Sequence, residues 1–477
     1  MNISQEKFPS ACEATEVLQR AGGKVYVVGG YVRDLQLGVE PKDVDLMVTG
    51  LDELQIEVAL SDLPGVVNFT GKKFGVYRYR YKGDEVEIAM PRKEISTGIG
   101  HKEFGVQVSK DFTIEDDLWR RDFTVNAMAI DMNSGDLIDP YNGLEDIEDR
   151  IVCQVNPESI SEDPVRILRA LVLVSRHGFA IHGHTKSEMS KNAENLKVES
   201  GERISAELDK IMAGSFVVKA IRQAHNTGVL KAILPEVDDC FGYDQNNPHH
   251  EQELGDHLMS TLEIVASKTD DVDVRLAALF HDIGKPGSAW ENPETGFNHF
   301  YKKKFDVGTT IGEQHEELGE HMVRQIMKRL KYPVERRTRV ATLVLHHMYT
   351  PFTSKKGARK FINRVGDEYA DDLLLIRLGD QGGKSSYPTR EDDMFDLENE
   401  AAFLEEVRQG DEPTDVSKLA INGSDLMTVG FEQGPMIGRV LAALVERVLD
   451  DPTLNERDTL LRLAVSMPVV EAHAAKV

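Results

Sequence analysis

The stretch KVYVVGGYVRDLQLGVEPKDVDLMV, from Lys24 to Val48, decides how the first third of the chain folds. The β-branched run ending at Val28 predicts a strand. Gly29 and Gly30 predict a turn, the residues from about Val32 a short helix, and Asp43 to Val48 a second strand. Glycines between a strand and a helix let backbone N–H groups approach a phosphate, and the helix start adds unpaired donors and a positive dipole. The turn therefore suits an anionic triphosphate, with Arg33 placed to clamp its oxygens. Asp43 and Asp45, two apart on a strand, would share one face. Two hard Mg²⁺ ions need that arrangement when they are held between a triphosphate and an attacking hydroxyl. Either feature alone is most often a plain turn or a solvated strand end. Both within the 17 residues from Gly29 to Asp45 are a stronger signal. Glu87, further along, is either a third carboxylate or a solvent-facing residue.

Working outward, alternation through Tyr77–Tyr81 and Glu85–Ala89 predicts a hairpin turning at Lys82, Gly83 and Asp84. Pro91 to Asp111 is polar and weakly periodic, which reads as a long loop and a candidate lid. After Pro157 the apolar spacing becomes helical. A helix is expected from Glu162, capped by Ser161, through Leu168 and Leu171 to His177 and Gly178, with others over Ile204–Met212 and Val217–Thr227. A polar link at Asp244–Pro248 precedes a histidine-rich helical region reaching Asp380. A charged link at Pro388–Asp393 precedes a last helical section, Phe395–Met467. The expected division is an α/β head at 1–150, helical segments at 151–243 and 244–390, and a helical tail at 391–477.

The 477 residues are too many for one core, and a 40% hydrophobic, 29% charged composition is that of a folded globular chain. No run of 18 apolar residues occurs and the first twenty residues mix charge with polarity, so neither a membrane span nor a secretion signal is expected. Cys12, Cys153 and Cys240 form no CxxC pair, which fits a reducing cytoplasm. The balance of 56 basic and 81 acidic side chains, −25, argues against coating nucleic acid by bulk charge. A local positive stripe would have to come from Lys72, Lys73, Arg78, Arg80 and Lys82, from Lys302–Lys304, or from Lys355–Arg364.

Three further motifs follow in order: RRDFTVNAMA at Arg120–Ala129, DPYNG at Asp139–Gly143 and EDPVRILR at Glu162–Arg169. Together with Gly29–Asp45 they resemble the class II tRNA nucleotidyltransferases, the CCA-adding enzymes, whose family also holds bacterial poly(A) polymerases. The resemblance spans roughly residues 24 to 235. It implies an α+β multidomain fold: a DNA-polymerase-β-like nucleotidyltransferase head followed by all-α neck, body and tail. It also implies template-independent transfer of CMP and AMP from CTP and ATP to a tRNA 3′ end, with release of pyrophosphate. By the same resemblance Asp43 and Asp45 are the catalytic Mg²⁺ ligands, and Gly30, Arg33 and Arg121 contact the nucleotide. Asp163 and Arg166, three apart on one helical face, select the base through an acceptor and a donor that suit cytosine and adenine. Arg169 grips phosphate or base. The family commonly carries another arginine three residues on, where this chain has Val172. A poly(A) polymerase would be expected to carry a basic tail, whereas this tail is acidic around Asp411–Asp415 and Glu446–Asp451. An enzyme adding only CC or only A would share the same head. No DNA partner is expected.

The second constellation is His257, the pair His281–Asp282, and Asp380, joined by His315 and His347. The series resembles HD-domain phosphohydrolases. Imidazoles and carboxylates on helix ends hold one or two divalent transition metals, and so lower the pKa of a water that attacks phosphorus. Some CCA-adding enzymes carry such a domain with phosphatase or 2′,3′-cyclic phosphodiesterase activity, which implies a repair role at damaged tRNA ends. A reading of another class makes this domain the working phosphohydrolase and the head an RNA-binding module. His249, His250, His299 and His321 are read as surface or packing residues.

Overall fold

The computed structural model describes residues 3–69, 75–96, 104–246, 252–292, 295–300, 303–304, 310–311, 314–384 and 391–467. The chain forms two compact units, Met1–Pro235 and Glu236–Val477.

In the first unit, the described residues include strands β1 (Lys24–Val28), β2 (Asp45–Thr49), β3 (Val66–Asn68), β4 (Val76–Tyr81), β5 (Asp84–Ala89), β6 (Arg92–Ser96), β7 (Phe104–Val108), β8 (Ala129–Asp131) and β9 (Leu137–Ile138). Seven of them make one sheet in the order β3-β4-β5-β2-β1-β8-β9. The β2–β5 pair is parallel and places Asp45 opposite Glu87, while β1 runs antiparallel to both β2 and β8. The expected hairpin is β4–β5. Its alternation sorts as the period of two requires, with Tyr77 and Tyr79 fully buried and Arg78 and Arg80 outside. One face of the sheet is covered by the helix Pro9–Arg20, which starts with proline at N1 and buries Ala11, Ala14 and Leu18. The helix Glu53–Ser61, held by an Asp52/Gln55 capping box, packs beside it.

The candidate lid is not a bare loop. β6 and β7 pair antiparallel in full register, and residues 97–103 between them lie outside the described residues. The helix expected from Glu162 is two helices. Ser159–Glu162 ends at Asp163, whose backbone is extended, and Val165–His177 begins after Pro164 and stops at left-handed Gly178. Proline disfavours a helical residue before it, and that breaks the run. The longer helix buries Ile167, Leu168, Leu171 and Val174 against Gly201–Met212, which Ser200 caps, and against Val217–Asn226.

In the second unit the helices Leu254–Ala266, Val272–Phe280, His315–Arg329, Val334–His346 and Asp367–Gly382 build a bundle around Leu258, Leu262, Leu276, Ile326 and Val344. The tail helix Pro435–Asp450 packs Leu444 and Val448 against Leu426 and Leu460. Among the described residues, no helix is long and apolar enough to cross a membrane.

Candidate nucleotide cleft and metal centre

A cleft of about 410 Å³ opens where β1 hands over to the helix Gly30–Gln36. Gly29 turns the chain at φ +74°, a conformation L side chains rarely adopt, and a Cβ there would lie 2.7 Å from Arg121 Nη1. Gly30, Arg33, Asp45, Glu87, Arg121, Arg166 and Arg169 all line the cleft. β2 begins only at Asp45, so Asp43 sits in the extended approach to the strand rather than on it. Both aspartates are exposed, but only Asp45 lines the cleft. The carboxylate that faces Asp45 in register is Glu87, which Arg78 also approaches at 3.4 Å. Burial at the cleft wall pushes the Asp45 carboxyl up; Arg121 opposes this, while Glu87 and Asp43 add to it.

The arginines are held by the chain itself. Arg33 donates from Nε and Nη2 to Asp34 at 2.8 and 2.7 Å, and from Nη1 to Asn126 Oδ1 at 2.7 Å. Asn126 donates in turn to the buried Asp122 at 3.0 Å, and the other oxygen of Asp122 pairs with Arg169 at 3.1 Å. Burial pushes the Asp122 carboxyl up, but Arg169, Asn126, Arg166 and the Phe123 N–H together hold it below the usual carboxylate range. Arg166 is buried and donates to the Ser159 hydroxyl and carbonyl oxygens at 2.9 and 3.2 Å.

Asp163 and Arg166 do not share one helical edge, because the chain is extended at Asp163 and Arg166 belongs to the next helix. Asp163 is instead gripped by Arg203, which donates from Nη2 to both carboxylate oxygens at 2.9 Å and from Nη1 to Glu199 at 2.6 Å. Val172 is buried on the helix that carries Arg166 and Arg169, so that position faces the core and not the cleft.

The second unit gathers the other constellation whole. His257, His281, Asp282 and Asp380 offer ligand atoms within 4.8 Å of one another, and Asp282, His315 and His347 form a second group of the same kind. Asp282 belongs to both. Its Oδ2 lies 3.4 and 3.3 Å from the Nε2 atoms of His257 and His281, and its Oδ1 lies 3.4 and 3.5 Å from those of His315 and His347. Each imidazole turns its Nδ1 to a backbone carbonyl: His257 to Gly383 at 3.2 Å, His281 to Ala278 at 2.9 Å, His315 to Phe300 at 3.1 Å and His347 to Val344 at 2.7 Å. A carbonyl only accepts, so Nδ1 carries a proton in all four and each Nε2 faces inward; burial pushes the His281 imidazole down, but Asp282 and Asp380 raise it to about 9. His315 Nε2 and His347 Nε2 are buried without a hydrogen-bond partner, as ligand atoms awaiting an ion would be. The residues fit a divalent metal. Buried Lys285 bridges Asp282 Oδ2 at 2.6 Å and Gln245 Oε1 at 2.9 Å. Burial would raise the Asp282 carboxyl, but Lys285 and the imidazoles hold it well below its ordinary value. Burial pushes His315 down to about 4. His299 stacks on Trp290 and His321 is exposed, so both stand apart from the cluster; His249 and His250 lie outside the described residues.

Of the expected surface stripes, Lys72, Lys73 and Lys302 lie outside the described residues, and several of the others are neutralised. Arg78 and Arg80 pair with Glu87 and Glu85, Lys356 and Lys360 with Asp450, and Lys355 and Arg359 with Glu412. Arg33, Arg92, Arg120, Arg121, Arg166 and Arg169 line the cleft. The first-unit residues missed from sequence are Asp122, Asn126 and Arg203. The first two stand inside the quoted RRDFTVNA motif; Arg203 is forty positions from its partner and gives no local signal.

Four family models match the chain: a Poly A polymerase head domain at residues 25–153, a probable RNA and SrmB-binding site of polymerase A at 178–241, an HD domain at 254–379, and a putative tRNA nucleotidyltransferase domain 2 at 394–464. The multifunctional CCA protein of Xanthomonas campestris pv. campestris (strain B100) is 33% identical over 436 residues, covering 88% of this chain and 96% of its own. That of Azoarcus sp. (strain BH72) is 34% identical over 330 residues, 68% of this chain and 73% of its own. Among solved structures, the Bacillus stearothermophilus CCA-adding enzyme in complex with CTP superposes with a TM-score of 0.69 at 22% identity, over 98% of both chains. A polymerase-β-like head followed by helical and HD domains, with a 33%-identical relative matched over 96% of its own length, places the chain in the family of multifunctional CCA proteins, the CCA-adding tRNA nucleotidyltransferases.

Proposed function

We propose that the cleft of the first unit binds CTP and ATP in turn and transfers their nucleotides to the 3′ end of tRNA. The observation that carries this reading is the register of Asp45 against Glu87 beneath the Gly29–Gly30 turn, with Arg33, Arg121, Arg166 and Arg169 around the same cavity. Arg33 and Arg121 bind and orient the triphosphate. Asp163 and Arg166 present an acceptor and a donor to the incoming base, reached from two neighbouring elements rather than from one helix edge. Asp43 and Asp45, with Glu87 beside them, would hold Mg²⁺, which supplies a Lewis acid for the primer 3′-hydroxyl and for the departing pyrophosphate. Such relatives are named CCA proteins, and solved enzymes of this fold include complexes with ATP and with tRNA. Three free thiols fit a cytoplasmic setting.

The second unit supports an added activity. Four imidazoles with Nε2 turned inward around Asp282 form a site for one or two divalent transition metals, suited to hydrolysing a phosphate ester at a damaged RNA end. Purified protein given tRNAs lacking A, CA or CCA, with each labelled nucleotide in turn, tests the main reading at single-nucleotide resolution. Stepwise completion that stops at CCA is expected. Unlimited A addition would indicate a poly(A) polymerase, and arrest after CC, or growth by A alone, would indicate a partial enzyme. Asp45→Ala against Asp282→Ala separates transfer from hydrolysis. Loss of all activity in the second variant alone would make the head a binding module.

A further inference from the structure

Arg120 and Arg121 adjoin the same cleft and share an anchor that stands before the double-arginine motif. Both reach Asp117, whose side chain is wholly buried. Arg120 donates from Nε to Asp117 Oδ1 at 2.7 Å, with Nη2 at 2.6 Å. Arg121 donates from Nε and Nη2 to Oδ2 at 3.2 and 3.1 Å. The short helix Ile114–Trp119 makes this possible. Thr113 and Asp116 box its start, and it ends at Trp119, so residues three and four beyond Asp117 fold back over the last turn. With its Nε and Nη2 edge spent on Asp117, Arg121 lays Nη1 against Gly29, at the phosphate-facing turn. Arg121 also acts electrostatically on Asp45, which offers the guanidinium another carboxylate.

We infer that Asp117 is a positioning residue for nucleotide binding: it holds Arg121 at the Gly29–Gly30 turn and keeps that guanidinium from settling on Asp45. A dry carboxylate between two guanidiniums fixes their planes, because any other orientation leaves a buried charge unpaired. Asp117 touches neither nucleotide nor metal and acts only through the arginines. The inference rests on reading the cleft as the nucleotide site.

Calorimetric titration of CTP into the full-length chain without divalent metal measures the effect directly. Asp117→Asn raises the CTP dissociation constant about tenfold, the worth of a charge-assisted hydrogen bond, while KM for tRNA stays within about twofold. Arg121→Gln produces a similar loss, and Asp117→Asn added to it produces no further one, because both changes remove a single arrangement. Should Asp117→Asn fail to fold, Asp117→Glu retains the charge, displaces both guanidiniums by a methylene and weakens CTP binding in the same sense. Losses that multiply in the double variant, an unchanged CTP affinity, or a tRNA KM that rises as far as the CTP constant would each overturn the inference. Failure of the wild-type chain to bind CTP or extend tRNA would instead overturn the reading of the cleft.

Discussion

Asp163 and Arg203 show how much of a site can hang on one ion pair. The role proposed for Asp163 in base selection requires its oxygens to be held in one orientation, and the bidentate grip of Arg203 does so. Arg203→Leu leaves Asp163 unheld, and incorporation of CMP and AMP is expected to fall by about tenfold or more in kcat/KM, with misincorporated UMP rising. Single-turnover addition with each of the four nucleotides checks this, and unaltered discrimination would remove Arg203 from base selection. His177 offers a pH test in the same unit. Burial, then Arg33, pushes its imidazole down from 6.5 to about 4. The folded state therefore binds fewer protons than the unfolded chain between those values. Its contribution is full above about pH 6.5 and is lost as the pH falls toward 4. Discounted for partial exposure, this is on the order of 2 kcal/mol. The protection factors of amides along Val165–His177, taken relative to the intrinsic exchange rate at each pH, should fall over that window, and His177→Phe should flatten the response.

At the scale of elements, the strand, glycine turn and hairpin were legible because each follows from local periodicity: Tyr77 and Tyr79 alternate with Arg78 and Arg80, and the sheet needs nothing else to sort them. What was misread depends on neighbours. Asp43 lost its place on β2 because pairing with β1 and β5 starts only at Asp45, a boundary set by partner strands. The break at Asp163 was visible in principle, since Pro164 stands next to it, but its use, freeing Asp163 to meet Arg203, required a helix forty residues away. The pairing of β6 with β7 was hidden by the polar composition of Pro91–Asp111. The turn itself gives a sharp contrast between adjacent glycines. Gly29→Ala meets both a positive φ and Arg121 Nη1 at 2.7 Å, so a loss of about 2 kcal/mol is expected. Gly30→Ala meets only Arg33 Nη2 at 3.5 Å, an ordinary contact, and should leave the melting temperature of the first unit almost unmoved. Equal destabilisation by the two would show that the turn tolerates a side chain at 29.

Across the whole molecule, the net charge of −25 is compatible with a nucleic-acid substrate because many surface cations are spent on internal pairs while the arginines facing the cleft remain aimed at one cavity. Division into two compact units also makes their stabilities separately addressable. An ion that binds only the folded second unit stabilises that unit by mass action, by about 2.7 kcal/mol at a hundredfold excess over its dissociation constant. For a unit of this size that corresponds to an upward shift of roughly 5–10 °C in its melting transition. Adding Mn²⁺ or Ni²⁺ to the metal-stripped full-length chain should therefore raise one transition and leave that of the first unit in place. The sharing of Asp282 between the two ligand groups makes the test more specific. His347→Ala removes a ligand from the second group alone and should lower the bound metal without abolishing the shift. Asp282→Asn weakens both groups at once and should abolish it. Metal content near zero in the wild-type chain, with no movement of either transition, would mean that the inward-facing imidazoles serve packing and not ligation.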